Sequence, residues 1–167
     1  MNDSGKAIVT LPTPEQILIT RQFDAPKHLV YKAWTTPDLV KRWWSGKRGE
    51  MKLVEIDLRV GGAWRYVMLA HGSFEVAFHG TFREIRPNER LVTTEVYEMP
   101  GTSEPAEDEV PINTITFTET NRRTTLTLLT QCPNPTLRDT IINSGMETGM
   151  QEQMDILEDL TRSLTQP

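Results

Sequence analysis

The stretch from Asn134 to Thr165 constrains this chain most, because it reads as one long amphipathic helix with two glycines inside it. Leu137, Ile141, Met146, Met150, Met154, Leu157, Leu160 and Leu164 recur at steps of three to five residues, the spacing that gathers apolar side chains on one helical face. Asn134 is a good N-cap, and Pro135 suits the first helical position, where its missing N–H costs nothing. Gly145 and Gly149 lie one turn apart within the pattern, and each costs about 1 kcal/mol relative to alanine in a helix interior. Two explanations offset that cost. Either the helix backbone approaches a sheet closely, or the missing side chains, flanked by the flexible Met146, Met150 and Met154, leave room for a guest molecule.

What precedes this run is mostly strand. Residues 1–15 carry Gly5, Pro12 and Pro14 with little periodicity, so a flexible arm is expected, followed by a single domain over residues 16–165. Gln16 to Phe23 reads as a strand. Two short helices follow, one opening at Pro26 with Leu29, Val30, Ala33 and Trp34 on one side, the other running from Asp38 to Trp44 after Thr36-Pro37. Met51 to Leu58 and Ala63 to Ala70 pair across Gly61-Gly62. Phe74 to Ile85 alternates cleanly, with Phe74, Val76, Phe78, Gly80 and Phe82 against Glu75, His79, Thr81 and Arg83. Arg90 to Tyr97 comes next, then an acidic, proline-bearing loop from Pro100 to Pro111, then a hairpin of Ile112–Glu119 and Thr124–Gln131. Strands in hairpin succession followed by a helix predict an α+β fold of about six or seven antiparallel strands, with the helices gathered on one face. If the sheet curves around the long helix, an apolar space lies between them.

Charge and cysteine content exclude several classes of function. A net charge of −5 argues against nucleic acid as a partner, which needs a basic face. Lys41, Arg42, Lys47 and Arg48 form one basic cluster, read as solvated surface or as the rim of a pocket mouth. The single cysteine, Cys132, has no partner for a disulfide, and His28, His71 and His79 show no metal-ligand spacing. No metal and no cofactor are therefore expected. Met1 to Thr10 has no apolar run long enough for a signal peptide and no segment reads as a membrane span, so a reduced, cytoplasmic setting is the expectation.

Several phrases together carry a resemblance. They are Arg21-Gln22-Phe23-Asp24-Ala25-Pro26, Val30-Tyr31-Lys32-Ala33-Trp34-Thr35, Pro37-Asp38-Leu39, Arg42-Trp43-Trp44, Asp57 to Tyr66, Gly80 to Ile85, Glu89-Arg90-Leu91-Val92 and Ser144 to Met150. The chain resembles the family typified by the C-terminal domain of the heat-shock chaperone ATPase activator, within the START-related helix-grip (SRPBCC) superfamily that includes lipid-transfer proteins and polyketide cyclases. The resemblance implies a helix-grip fold, with the terminal helix lying across a strongly bent antiparallel sheet and a hydrophobic cavity below it. It brings no shared catalytic residues. Gly145 and Gly149 are each followed by methionine where relatives often show an aromatic residue, which implies a roomier pocket. The N-terminal domain used by the chaperone activators has no counterpart here.

The residues expected to line the cavity are Trp64, Tyr66, Met68, Phe78, Phe82, Glu95, Tyr97, Met146, Gly149, Met150 and Met154, though as plain core they would look the same. Arg59, Glu95, Tyr97, His79 and Asn113 are the candidates for placed polar groups. Alternation sets Leu91, Thr93, Glu95 and Tyr97 on one face and Val92, Thr94 and Val96 on the other. Glutamate is seldom buried, so exposure is the expectation for Glu95; turned inward, it would be an acid with a raised pKa and a plausible general base. His79 shares its face with Arg83 and reads as surface, Cys132 as structural, and Trp43-Trp44 as a plug closing the small helices onto the sheet. The functions these residues suggest are binding of a small hydrophobic molecule, an aromatase- or cyclase-like reaction at Glu95 on a polyketide-like substrate, and a chaperone-activating interaction. Whether any reaction occurs, and in what oligomeric state, is not written in the sequence.

Overall fold

Period-two alternation becomes a nine-stranded antiparallel sheet in the computed structural model, which describes residues 6–71, 74–98 and 104–166. The elements run β1 (Ile8–Thr10), β2 (Gln16–Phe23), α1 (Lys27–Thr35), α2 (Pro37–Trp43), β3 (Gly49–Ile56), β4 (Ala63–Ala70), β5 (Phe74–Arg86), β6 (Arg90–Thr94), β7 (Val96–Glu98), β8 (Ile112–Thr120), β9 (Arg123–Gln131), α3 (Pro135–Asn143) and α4 (Met146–Thr165). The strand order is β1-β2-β9-β8-β6-β5-β4-β3, with β7 on β5, and the sheet does not close. The long β5 joins its two halves. Its first part pairs with β4 and β7, its last part with β6, and the register slips between Phe82 and Glu84. A slip of this kind bends and twists a strand. The fold is the α+β arrangement that the sequence predicts, with two differences in the count. Nine strands replace six or seven, and Ile8–Thr10, expected within a flexible arm, pairs with Leu18–Thr20 of β2.

The long terminal helix is two helices. Gly145 has φ +84° and ends α3 in the left-handed region, where only glycine is unstrained, and a Cβ placed there would meet nothing within 4 Å. It is an exposed turn and makes no room beneath a helix. Asn134 caps α3 as its type predicts, its side chain accepting from the Leu137 N–H at 2.8 Å. Gly149 does lie within α4, but its missing side chain is covered by Arg48, whose Nε would stand 3.3 Å from an added Cβ. Neither explanation drawn from the sequence accounts for the pair: one glycine is a turn and the other a seat for a guanidinium.

One face of α4 carries Met150, Met154, Leu157, Leu160 and Thr161, all buried, over α1, α2 and β2. An arginine lies among the buried residues facing it. Along β2, Ile17, Ile19, Arg21 and Phe23 are all turned inward, and Arg21 is 2% exposed. Its guanidinium donates to Asp155 Oδ1 at 2.9 Å, lies 3.9 Å from Glu158 Oε1 and sits 5.4 Å from the centre of the Phe23 ring. Glu158 in turn accepts from the Asp24 N–H at 3.0 Å, which fixes the corner between β2 and α1 to the last helix.

Candidate functional site

Cross-strand register decides which side chains share the concave face. Tyr66 of β4 lies opposite Phe78 of β5, and Phe78 opposite Tyr97 of β7, so three aromatic rings form one rung. Phe78 stacks on Tyr97 with ring centres 5.0 Å apart. Trp44, at the end of α2, stands edge-on over this rung, 5.3 Å from Tyr66 and 5.0 Å from Phe78. Trp64 packs on Tyr66 at 4.7 Å and sends its indole N–H across β5 to the Thr94 carbonyl at 3.2 Å. Gly80 permits that reach, since a side chain there would collide with the Thr94 oxygen and stand 2.6 Å from the indole nitrogen. The two tryptophans read together as a plug therefore part company. Trp43 turns to Trp34 and donates to the Ala33 carbonyl at 3.0 Å, whereas Trp44 belongs to the aromatic wall.

A second rung is polar. Thr130 of β9, Asn113 of β8 and Thr93 of β6 are register partners on the inward face. Beyond Thr93 the pairing of β6 with β5 stops, while on the other side Thr94 still pairs with Ile112 and the Glu95 N–H goes to the Pro111 carbonyl at 3.1 Å. Glu95 is turned inward, contrary to the exposure expected of a glutamate. Thr130 Oγ1 donates to Asn113 Oδ1 at 2.7 Å, and Asn113 Nδ2 donates to Glu95 Oε1 at 2.8 Å. The first bond fixes which way the amide points, and the second holds the carboxyl in place. Burial raises the Glu95 pKa, and the Asn113 hydrogen bond opposes it in part. Tyr66, 8% exposed, is pushed above the ordinary tyrosine range by burial first and by the Glu95 charge second.

The inward face is incompletely covered at this end. Glu95, Thr130, Leu128, Phe78 and Met68 keep part of their area accessible, as do Ile141, Ile142 and Met146 of the helical pair. None of the residues of α3 is fully buried. The expected cavity residues fall into three sets. Trp64, Tyr66, Phe82, Met150 and Met154 are core; Met68, Phe78, Glu95, Met146 and Gly149 are partly accessible; Tyr97 is half-exposed at the outer end of its rung.

Other expected polar groups lie elsewhere. Arg59 is exposed in the turn before β4 and pairs with Asp57 at 2.8 Å. His79 is on the outer face, between Glu98 and Glu104 at 2.7 Å each, and Glu98 also holds Arg65 through two bonds of 2.9 Å. The described part of the 100–111 loop is tied to this outer face through Glu104 to His79 and Glu107 to Arg83; residues 100–103 lie outside the described residues. Of the basic cluster, Lys41 and Arg42 are exposed, and the segment with Lys47 and Arg48 is strapped to α4, the Lys47 N–H donating to Glu152 at 3.2 Å. A surface groove of about 430 Å³ between the arm, the ends of β2 and β9 and the start of α3 is lined by Thr13, Pro14, Glu15, Gln16, Gln131 and Pro135, and touches none of the expected site residues. Trp44 and Thr130 were not anticipated as site residues. Only strand pairing, not any local pattern, brings Thr130 beside Asn113.

Comparison with solved structures matches this architecture across its whole length. A Rhodobacter sphaeroides protein aligns with a TM-score of 0.84 at 21% identity, covering 95% of this chain and 99% of its own. A Chromobacterium violaceum protein aligns with a TM-score of 0.76 at 27% identity over 89% and 98%, and one from Nitrosomonas europaea with 0.79 at 22% over 92% and 98%. No functionally curated protein matches the chain. Among the described residues no helix is long and apolar enough to cross a membrane. Residues 24–162 match the family described as activator of Hsp90 ATPase homolog 1-like protein, and the chain belongs to that family.

Proposed function

We propose that the chain binds a small, largely hydrophobic molecule between the concave face of the sheet and the α3–α4 pair. The fold and family are those of a ligand-binding or interaction module in general. One observation carries the finer reading: an inward carboxyl, Glu95, oriented by Asn113 and Thr130, on the face that also carries an aromatic wall in which Trp44 and Phe78 remain partly accessible. A mostly apolar concavity with a few convergent polar groups is what small-molecule sites have in common. Native mass spectrometry of the freshly purified protein, followed by NMR titration with fatty acids, flavonoids and polyketides, tests it. Binding shifts the amides of Phe78, Glu95, Asn113 and Thr130, and Ile142→Trp, which fills the accessible space from α3, abolishes those shifts while the fold persists. Equal affinity in the filled variant counts against the reading.

The raised pKa of Glu95 favours a second reading, in which the bound molecule is also transformed, with Glu95 moving a proton as general acid or base in an aromatase- or cyclase-like reaction. Conversion of a polyketide-like substrate by the wild type, lost in Glu95→Gln with binding retained, would separate this from simple carriage. The chaperone-activating role is suggested by the family's description alone, and Hsp90 ATP hydrolysis on mixing is its measure.

A further inference from the structure

Carboxylates that this fold keeps charged are given cations: Glu98 has Arg65, through two bonds of 2.9 Å, and Asp155 has Arg21, at 2.9 Å. Glu95 is treated differently. Among the described residues no cation pairs with it, and its partner is a neutral amide, Asn113 Nδ2, at 2.8 Å. Tyr66 of β4 and Cys132, just ahead of α3, feel its charge, and burial holds both of them neutral. Asn113 lies in a rung that runs Phe82, Thr93, Asn113, Thr130, Ile17 across β5, β6, β8, β9 and β2. It is only 7% exposed, and buried Phe82 and Ile17 close the ends of the rung, so its amide looks to its neighbours and not to water for partners. Those partners are Glu95 on one side and Thr130 Oγ1, at 2.7 Å, on the other.

The two ends of a carboxamide have nearly the same shape and opposite hydrogen-bonding character, and a hydroxyl donates or accepts as required. With Nδ2 facing Glu95 and Oδ1 facing the Thr130 hydroxyl, the chain of bonds suits a carboxylate, which only accepts. Turned over, Oδ1 accepts from a protonated Glu95 and Nδ2 donates to Thr130 Oγ1, whose own hydrogen turns to water, since Thr130 is partly exposed. We infer that Asn113 and Thr130 are positioning residues that form a two-way relay, in which the Asn113 amide turns over as Glu95 gains a proton and turns back as it loses one. One proton enters at the carboxylate; the amide rotates half a turn about Cβ–Cγ, the hydroxyl hydrogen reorients, and no covalent bond is made or broken elsewhere. Protonation weakens the charge-assisted bond from Nδ2 and sets a strong donor in its place, which drives the turn. Either charge state leaves the amide with a partner at each end, so Glu95 changes charge without stranding a buried group. The relay deepens, and for its use rests on, the reading above in which Glu95 moves a proton.

The test is a pH titration of the full, unliganded chain by NMR, from about pH 8 down to about pH 4, in which the Glu95 Cδ shift gives the midpoint. Above the midpoint the Asn113 Nδ2 protons give their stronger NOE to the Glu95 γ protons; below it the stronger NOE passes to the Thr130 methyl, with the same midpoint. Glu95→Gln removes that pH dependence. Thr130→Val strands Oδ1 in one orientation and Nδ2 in the other, and a buried N–H without an acceptor costs more than a carbonyl without a donor. The protonated form therefore loses more, and the Glu95 midpoint falls by about one pH unit, a tenfold loss of proton affinity. Thr130→Ser restores the hydroxyl and keeps the proton affinity within about twofold of wild type. An NOE pattern that is unchanged across the Glu95 midpoint, or that changes with pH in Glu95→Gln as it does in the wild type, overturns the relay. So does a midpoint in Thr130→Val equal to or above that of the wild type, or one in Thr130→Ser that falls as far as the valine variant's. The wild-type and Glu95→Gln readouts stand should Thr130→Val misfold. No ligand is present, so loss of the relay leaves the ligand reading intact, and failure of the ligand titration above leaves the relay intact.

Discussion

Replacing Glu95 by glutamine should make the unliganded protein more stable, and only above the pH at which the carboxyl ionises. In the unfolded chain the group titrates near 4.5; in the folded chain burial raises its pKa against the Asn113 hydrogen bond. Between those two values the native state holds a proton that the unfolded state has released. Stability therefore falls as pH rises through that window, is unaffected by this group below about 4.5, and is fully reduced above the folded value. A tenfold difference in proton affinity between the folded and unfolded chains is worth about 1.4 kcal/mol. Glutamine keeps Oε1 as acceptor for Asn113 Nδ2, sets an uncharged NH2 where the second carboxylate oxygen stood, and carries no charge to desolvate. The buried charge that glutamine removes sets the expected gain at pH 8 at about 1–2 kcal/mol and near zero at about pH 4. Urea unfolding of both proteins across that range reads the difference from the midpoints at a common slope. A gain independent of pH, or a wild type the more stable of the two at pH 8, would show that the carboxylate is well solvated and that the site is no enclosed one.

The two glycines should respond in opposite senses. Gly145→Ala forces a side chain into a left-handed turn and costs about 1–2 kcal/mol, whereas Gly149→Ala displaces only the end of Arg48 and gains up to about 1 kcal/mol of helix propensity; thermal melts of the pair distinguish them. Arg21→Met leaves the buried Glu158 with only the half-exposed Arg162, 3.8 Å from Oε2, and should cost about 3 kcal/mol, against about 1 kcal/mol or less for Asp155→Asn, whose side chain is 61% exposed; urea midpoints give both values. On the outer face, the Arg65 hydrogen bonds bring the Glu98 pKa down to about 2, while for His79 burial alone would lower the value but hydrogen bonds to Glu104 and Glu98 prevail and raise it. The Glu98 contribution is present above about pH 4.5 and is lost as pH falls towards 2; the His79 contribution is complete below about 6.5 and is lost as pH rises through its raised folded value. Amide exchange at Glu104–Val110, corrected for intrinsic rates, should thus be slowest between those limits and quicken on either side, and a flat profile would mean that this cluster does not hold the loop.

Much of the fold is legible because strand alternation is a local signal: Trp64, Tyr66 and Met68 against Arg65 need no distant information to separate. What is not legible depends on residues far away in the chain. Gly145 lies inside a continuous apolar rhythm, since one left-handed residue redirects a helix without upsetting the spacing on either side, and the run reads as unbroken. Glu95 sits in a strand whose two faces are equally plausible until Asn113 and the Pro111 carbonyl claim its side chain and its N–H. Arg21 falls at an apolar position of its strand, and the carboxylates that justify it lie on the last helix. Arg21 and Glu95 break the same rule, a charge among inward residues, but they end differently. Arg21 is answered by Asp155, Glu158 and the Phe23 ring, which ties β2 to the last helix, although Glu158 Oε1, 3.9 Å from the guanidinium, is buried without a hydrogen bond of its own. Glu95 is oriented by Asn113 and Thr130, keeps part of its area accessible, and its charge helps to raise the Tyr66 pKa. Of the two charges, the one held in place by neighbours and yet partly accessible is the one that a bound molecule can reach, whereas Arg21 is closed off by the helix it docks.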